Sequence, residues 1–384
     1  MSRLAAYAAQ LESLASRERL RERRAAAGRD FTSNDYLGLA TSARLRAAVE
    51  DALERGVPVG AGGSRLLRGN HPEHERLEAE AAAFFGAERS LLFGSGYAAN
   101  VGLFATLPQR EDLVVHDEWV HASVHDGMRL GRAQCAAFRH NDPGDARRAI
   151  TEWRARGGRG RAWIAVESLY SMDGDRAPLE EFHALADACD GFLVVDEAHA
   201  TGVFGPDGRG LASALEGREN VVALHTGGKA LGVGGAWVNA PRLLVEFLVN
   251  RARPFVFATA PPPIVAAALR EALTILRQEP QRREQLRALV AHAEARLGGL
   301  PGAAPAGTQI LPLIVGADGA AVRLAAALGE RGFDVRAIRP PTVPEGTARL
   351  RISLSLNVTV ADVDALAGAL RELDPGSASG AERG

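Results

Sequence analysis

Between residues 90 and 226, short apolar runs alternate with longer stretches in which apolar residues recur every three to four positions. The runs are SLLF (90–93), DLVVH (112–116), AWIAVES (162–168), GFLVVDE (191–197) and VVALHT (221–226). Each is too short for a typical helix and nearly uniformly apolar, the pattern of a strand covered on both faces. Between them the helical period predicts helices at 97–106, 119–131, 143–156 and 179–189. Such β-α alternation predicts an α/β fold with a mostly parallel central sheet.

The flanks read differently. Residues 5–26 show a helical pattern with Leu11, Leu14 and Leu20 on one side, and predict an N-terminal arm. A long helical pattern covers 263–297. After it come ILPLIV (310–315), a helix near 319–331, FDVRAI (333–338), RLRISLS (349–355) and a last helix near 360–372, a smaller α+β unit. The expected division is an arm at 1–45, a large domain at 46–285 and a small domain at 286–384. The final segment, DPGSASGAERG, is expected to be a frayed tail.

The chain has 384 residues, 46% of them hydrophobic, and a formal net charge of −2. No global basic excess points to nucleic acid, and the richest basic run, RERLRERR (17–24), is interrupted by two glutamates. No run of about 18 apolar residues predicts a membrane span, and the N-terminus carries no apolar signal core. Cys135 and Cys189 are too few for a disulfide framework or a cysteine-based zinc site, so a reduced, cytoplasmic setting and no metal are expected.

Composition contributes one further fact. Lys229 is the single lysine among 45 basic residues. Under a bias toward arginine, a lysine serving only as a positive charge can drift to arginine. A lysine that must lose its proton cannot, because a guanidinium stays charged. Chance survival is the competing explanation, and the neighbours of Lys229 have to decide.

The stretch LVVDEAHATG (193–202) contains Asp196-Glu197-Ala198-His199, the letters of a DEAH-box ATPase. That chemistry needs G-x-x-x-x-G-K-[ST] upstream to cradle phosphate. The one Gly-Lys pair is Gly228-Lys229; it lies downstream, Ala230 stands where Ser or Thr should hold magnesium, and Ala223 replaces the first glycine. The helicase reading fails on these residues.

A pyridoxal-phosphate site uses the same residues. It needs a Schiff-base lysine, a carboxylate beside the pyridine nitrogen and groups for the phosphate, placed at the carboxyl ends of parallel strands. Lys229 sits in LHTGGKALGVGGA (224–236), whose small residues admit a bulky group. Asp196 ends the strand FLVVD, and His199 follows three residues later. FGSGYAAN (93–100) is a strand, a glycine turn and a helix start, suited to an anion. Thr226 could add a hydroxyl, and His121 in WVHASVHDG could lie against a flat ring. Each feature alone has a bland structural reading, such as a helix cap for Asp196. Their order along the chain carries the weight.

These segments, with SNDYLGLA (33–40), GAGGSR (60–65), SMDGD (171–175), FATAPPP (257–263) and AIRPPTVPEGTARLRISLS (337–355), resemble the α-oxoamine synthases over nearly the whole chain. These are pyridoxal-phosphate enzymes of the aspartate-aminotransferase fold (fold type I). The IRPPTVP-x-GTARLR run is similar to the branch that condenses L-alanine with a pimeloyl thioester, on coenzyme A or acyl-carrier protein, in biotin biosynthesis. The resemblance implies an acyltransferase acting as a homodimer. It implies Lys229 as Schiff-base lysine and base, Asp196 at the pyridine nitrogen, and His199 and Ser171 on the cofactor ring. Gly96, Tyr97 and Thr226 would hold the phosphate, and Thr259 would reach the neighbouring subunit's phosphate. His121 would stack on the ring and help place substrate, with Arg351, Arg21, Thr342 and Asn34 on the substrate side. Two segments depart from the family: SLSLNVTV (353–360) lacks a histidine found in many members, and RGNHPEHERLE (68–78) replaces a small-residue version, with His71 read as part of a local turn. The alternatives are another α-oxoamine synthase, using glycine or serine, and a non-catalytic partner subunit.

Overall fold

The computed structural model describes residues 3–373; the terminal stretch expected to be a frayed tail lies outside them. The described chain forms two compact units. The larger comprises Leu37–Tyr170 and Arg176–Arg283, the smaller residues 3–36, Ser171–Asp175 and residues 284–373.

The larger unit is built on seven strands: β1 (Arg89–Phe93), β2 (Leu113–Asp117), β3 (Gln134–Phe138), β4 (Ala162–Glu167), β5 (Phe192–Asp196), β6 (Val221–Thr226) and β7 (Ala236–Ala240). Their order across the sheet is β1-β7-β6-β5-β4-β2-β3. Only β7 runs antiparallel to its neighbours. The apolar runs earn their uniformity from two separate cores. Val114, Ala165, Val194 and Val222 pack on one face with the helices Gly96–Thr106 and Ala122–Leu130. Leu113, Val115, Ile164, Val166, Leu193 and Val195 pack on the other with Pro143–Ala155 and Leu179–Ala188. Odd and even positions alternate between the faces, so the central strands are buried along their length except at Phe192, the first residue of β5, which is half-buried.

Chain order and sheet order place the polar ends of β2, β4, β5 and β6 side by side. Those ends carry Asp117, Glu167, Asp196 and Thr226. Local caps set where the following helices begin. Asp117 accepts the Trp119 N–H at 2.8 Å, and His121 caps the helix that starts at Ala122, later than the sequence pattern predicts. His71 is likewise a cap: its ring accepts the Glu73 N–H at 3.1 Å ahead of Pro72–Phe85.

The sequence pattern missed β3 and β7 and overran three elements. The helical stretch 263–297 is two helices, Pro263–Gln278 and Gln281–Leu297. Pro280 has no N–H to continue the first and disfavours helical backbone at Glu279, which sits at φ −120° and ψ 59°. The N-terminal helix covers only Ala5–Ser16. Glu18 turns left-handed at φ 55°, the Arg19 N–H returns to the Leu14 carbonyl at 2.8 Å, and the Arg19 side chain pairs with Asp318 at 2.6 Å and with Glu345. Leu11, Leu14 and Leu20 remain exposed. The run 333–338 divides: Phe333–Asp334 pairs with Arg29–Asp30, whereas Arg336–Ile338 joins Ile310–Gly316 and Ala348–Ser353 in a three-stranded antiparallel sheet of the smaller unit.

The two-sided core has a measurable consequence. Leu193→Ala, at a fully buried position, should cost about 2–5 kcal/mol in urea unfolding. Leu243→Ala, exposed on the helix Arg242–Arg251, should stay within about 0.5 kcal/mol of the parent. Equal losses for the two would contradict this core.

Candidate active site

A cavity of about 220 Å³ opens at the carboxyl ends of β4, β5 and β6. Gly96, Tyr97, His121, Asp196, His199, Thr226 and Lys229 all line it, together with Asn100 and Glu167. Residues separated by more than 130 positions in sequence are thus brought to one place by the strand order.

Asp196 is the buried anchor. Its Oδ2 accepts from Asn100 Nδ2 at 2.8 Å, and its Oδ1 from the Ala198 N–H at 2.9 Å. Asn100 also donates to Ser123 Oγ at 3.0 Å, and Ser123 Oγ lies 2.7 Å from His121 Nδ1. A continuous path of hydrogen bonds therefore joins the strand-end carboxylate to the imidazole. Burial pushes the His121 imidazole below its ordinary value; the nearby Asp196 charge opposes this, and the Lys229 charge adds to it.

Lys229 stands in the turn between β6 and β7. The turn is closed by the Gly227 N–H on the Gly235 carbonyl and the Val233 N–H on the Gly227 carbonyl, both at 2.9 Å. A Cβ at Gly227 would lie 2.3 Å from Leu269 Cδ2, and Gly232 takes φ +67° with the Ala40 backbone against it. The small residues around the lysine are thus needed for the turn itself. Thr226 Oγ1 donates to the Gly235 carbonyl at 3.1 Å and accepts the Gly228 N–H at 3.2 Å, which holds the hydroxyl at the base of the turn.

Across the cavity, the helix Gly96–Thr106 begins at a Ser95 cap whose hydroxyl accepts the Ala98 N–H at 3.1 Å. The N–H groups of Gly96 and Tyr97 belong to the first turn, which has no intrahelical acceptor for them, and they add to the positive end of the helix dipole. The Tyr97 hydroxyl donates to Asp126.

The remaining expected residues are not among the residues that line this cavity. In the smaller unit, the buried Arg351 donates to the Ser171 carbonyl, to Ser353 Oγ at 2.6 Å and to the Tyr36 hydroxyl at 3.3 Å. Tyr36 in turn donates to Asn34 Oδ1 at 3.0 Å, so Ser171, Asn34 and Arg351 form one hydrogen-bonded cluster. Arg21 is exposed on irregular backbone rather than on a helix, and Thr342 is exposed on the turn after Arg339, whose carbonyl accepts its N–H at 3.1 Å. Thr259 is exposed on the loop before Pro263–Gln278, outside the lining of the cavity.

Sequence reasoning missed Asn100, Ser123 and Glu167. Asn100 was visible as a polar residue one turn inside an apolar helix, and Glu167 as an acid closing an apolar strand. Neither belongs to a spaced motif.

The residues fit pyridoxal phosphate: an amine, a buried carboxylate held ready for a ring nitrogen, and a helix start with an adjacent hydroxyl for phosphate, all around one cavity. Residues 28–370 match the family of class I and II aminotransferases. An 8-amino-7-oxononanoate synthase of Anaeromyxobacter dehalogenans is 48% identical over 353 residues, 90% of this chain and 87% of that protein. One from Chromobacterium violaceum is 46% identical over 338 residues, covering 88% and 86%. Among solved structures, serine palmitoyltransferase from S. paucimobilis with a bound PLP-myriocin aldimine superposes with a TM-score of 0.87 at 26% identity, over 98% of each chain. The 8-amino-7-oxononanoate synthase of Francisella tularensis gives 0.75 at 26% identity, over 90% of this chain and 97% of that one. With this cavity at the ends of its strands, the chain belongs to the class I and II aminotransferase family, in the branch of the 8-amino-7-oxononanoate synthases.

Proposed function

We propose that the chain joins L-alanine to a pimeloyl thioester, on coenzyme A or acyl-carrier protein, releasing CO2 and the thiol carrier and forming 8-amino-7-oxononanoate for biotin biosynthesis. The enzyme is a pyridoxal-phosphate-dependent acyltransferase. One observation carries the proposal: the chain's single lysine lines the same cavity as the strand-end Asp196. A subunit without chemistry has no need of that pairing.

The cofactor, when bound, supplies an electron sink next to the amino-acid Cα. The protein's part follows from its own groups. Lys229 is the residue that takes the Cα proton and returns it, a task for which a flexible amine suits and a guanidinium does not. Asp196, fixed by Asn100 and Ala198, would hold a proton at the ring nitrogen. His121, whose imidazole burial pushes below its ordinary value, would offer a flat face to the ring and orient substrate. Gly96 and Tyr97 would hold phosphate through their N–H groups and Thr226 through its hydroxyl, turned from the Gly235 carbonyl, while His199 and, by the resemblance, Ser171 would meet the ring substituents. Arg351 binds the amino-acid carboxylate, Asn34 lies near the substrate, and Arg21 and Thr342 border the acyl chain. The working form is a homodimer, in which Thr259 serves the phosphate site of the neighbouring subunit.

Screening alanine, glycine and serine against acyl thioesters, scored by CO2 and thiol release, tests the substrates. Alanine with a pimeloyl thioester should lead; a preference for serine or glycine would move the chain to a sister activity. Lys229→Ala should lose both the lysine-dependent visible band of the cofactor and turnover, and Lys229→Arg should be equally inactive; turnover in either variant would remove Lys229 from the mechanism. Asp196→Asn should lower turnover by about a hundredfold or more, and wild-type rates would show that its charge is not used.

A further inference from the structure

Glu167 lies in the cavity beside Asp196 and has no part in the chemistry above. It ends β4 and is 3% exposed. It is the register partner of Asp196 across the parallel pair β4–β5, so the two side chains leave the same face from strands about 5 Å apart. Both line the cavity.

The two carboxyls are treated unequally. Asp196 receives one N–H from Asn100 and one from Ala198. Glu167 Oε1 meets no hydrogen-bond donor, and the main-chain N–H of His121 is the donor that bears on the carboxyl. An ionised carboxylate is costly in such surroundings, and two neighbouring carboxyls do not readily ionise together. The donors therefore decide which of the two keeps a proton. The other groups bearing on Glu167 are Lys229 from the glycine turn, Asp117 at the end of β2 and Tyr170 after β4; His199 lines the same cavity.

We propose that Glu167 is a positioning residue held as a neutral acid, which anchors the backbone of His121 on this wall of the cavity. The role rests on the cavity being the cofactor seat. Burial first, and the Asp196 charge next, push the Glu167 carboxyl up to about 8, with Lys229 acting the other way. The proton thus stays on Glu167 through neutrality and leaves as pH rises beyond that value. A second charge there would add to the field at Lys229 and at the ring nitrogen.

Infrared difference spectra of the full-length holoenzyme against Glu167→Gln read the group directly. At about pH 6 the wild type should carry an extra protonated-carboxyl band, lost by about pH 10, and absent from Glu167→Gln at both. A carboxylate signal from Glu167 already at the lower pH overturns the neutral acid. The anchoring is read from cofactor dissociation. Glutamine still offers an oxygen to the His121 N–H and alanine does not, so Glu167→Ala should release cofactor about tenfold more readily than Glu167→Gln. Equal release from the two overturns the positioning role. The infrared signal reports Glu167 whatever the cavity holds, whereas failure of the cofactor seat itself would appear as a visible band that does not depend on Lys229.

Discussion

A carboxylate buried at the end of a central strand has to be met by donors, and the donors of Asp196 organise the site. One is the side chain of Asn100, one turn inside the helix Gly96–Thr106. That bond ties the helix start to the end of β5, so the N–H groups of Gly96 and Tyr97 border the same cavity as the carboxylate. The second donor, the Ala198 N–H, folds the chain back directly after the strand. From Asn100 the bonds run on through Ser123 to His121. The imidazole is therefore positioned by the group whose charge it must sit beside.

Strand alternation also explains the neighbouring acid. Asp196 and Glu197 are adjacent in sequence, yet Glu197 does not line the cavity. Its carboxyl accepts the N–H groups of Leu211, at 3.0 Å, and Ala212, and pins the loop that returns after Gly210. Burial pushes it up to about 7, with His225 acting against this. His225 itself is fully buried on β6, 2.8 Å from Thr201 Oγ1 and 3.2 Å from Glu216. The four letters Asp-Glu-Ala-His thus divide their labour: Asp196 and His199 belong to the cavity, and Glu197 to the support behind it.

Much of this was legible in the sequence, for identifiable reasons. The five apolar runs became β1, β2, β4, β5 and β6 because two covered faces demand uniform burial. β3, with Gln134 and Cys135 exposed at the sheet edge, lacks that signature; β7 is buried throughout, but the polar Asn239 interrupts its short apolar run and it follows directly on the glycine turn. The end of the first helix was less legible because a tertiary pair, Arg19 with Asp318, fixes the chain after it; the break at Pro280 is a local signal that the long apolar period covered. The residues of the cavity that carry spaced motifs were readable: Lys229, Asp196, His199, His121, Thr226, Gly96 and Tyr97 line one space. Asn100, Ser123 and Glu167 were not, because their importance lies in cross-strand register and side-chain hydrogen bonds that no spacing encodes. Arg21 and Thr342 depend on stretches without regular structure, where pattern says least about placement.

The central claim is that one lysine, opposite one fixed carboxylate, moves the Cα proton of alanine. Its most direct test is the loss of deuterium from L-alanine labelled at Cα, followed by mass spectrometry with the holoenzyme and no acyl donor. The account predicts that the wild type washes the label into water and that Lys229→Ala leaves it in place. Label retained by the wild-type enzyme, or lost equally in the lysine variant, would contradict it.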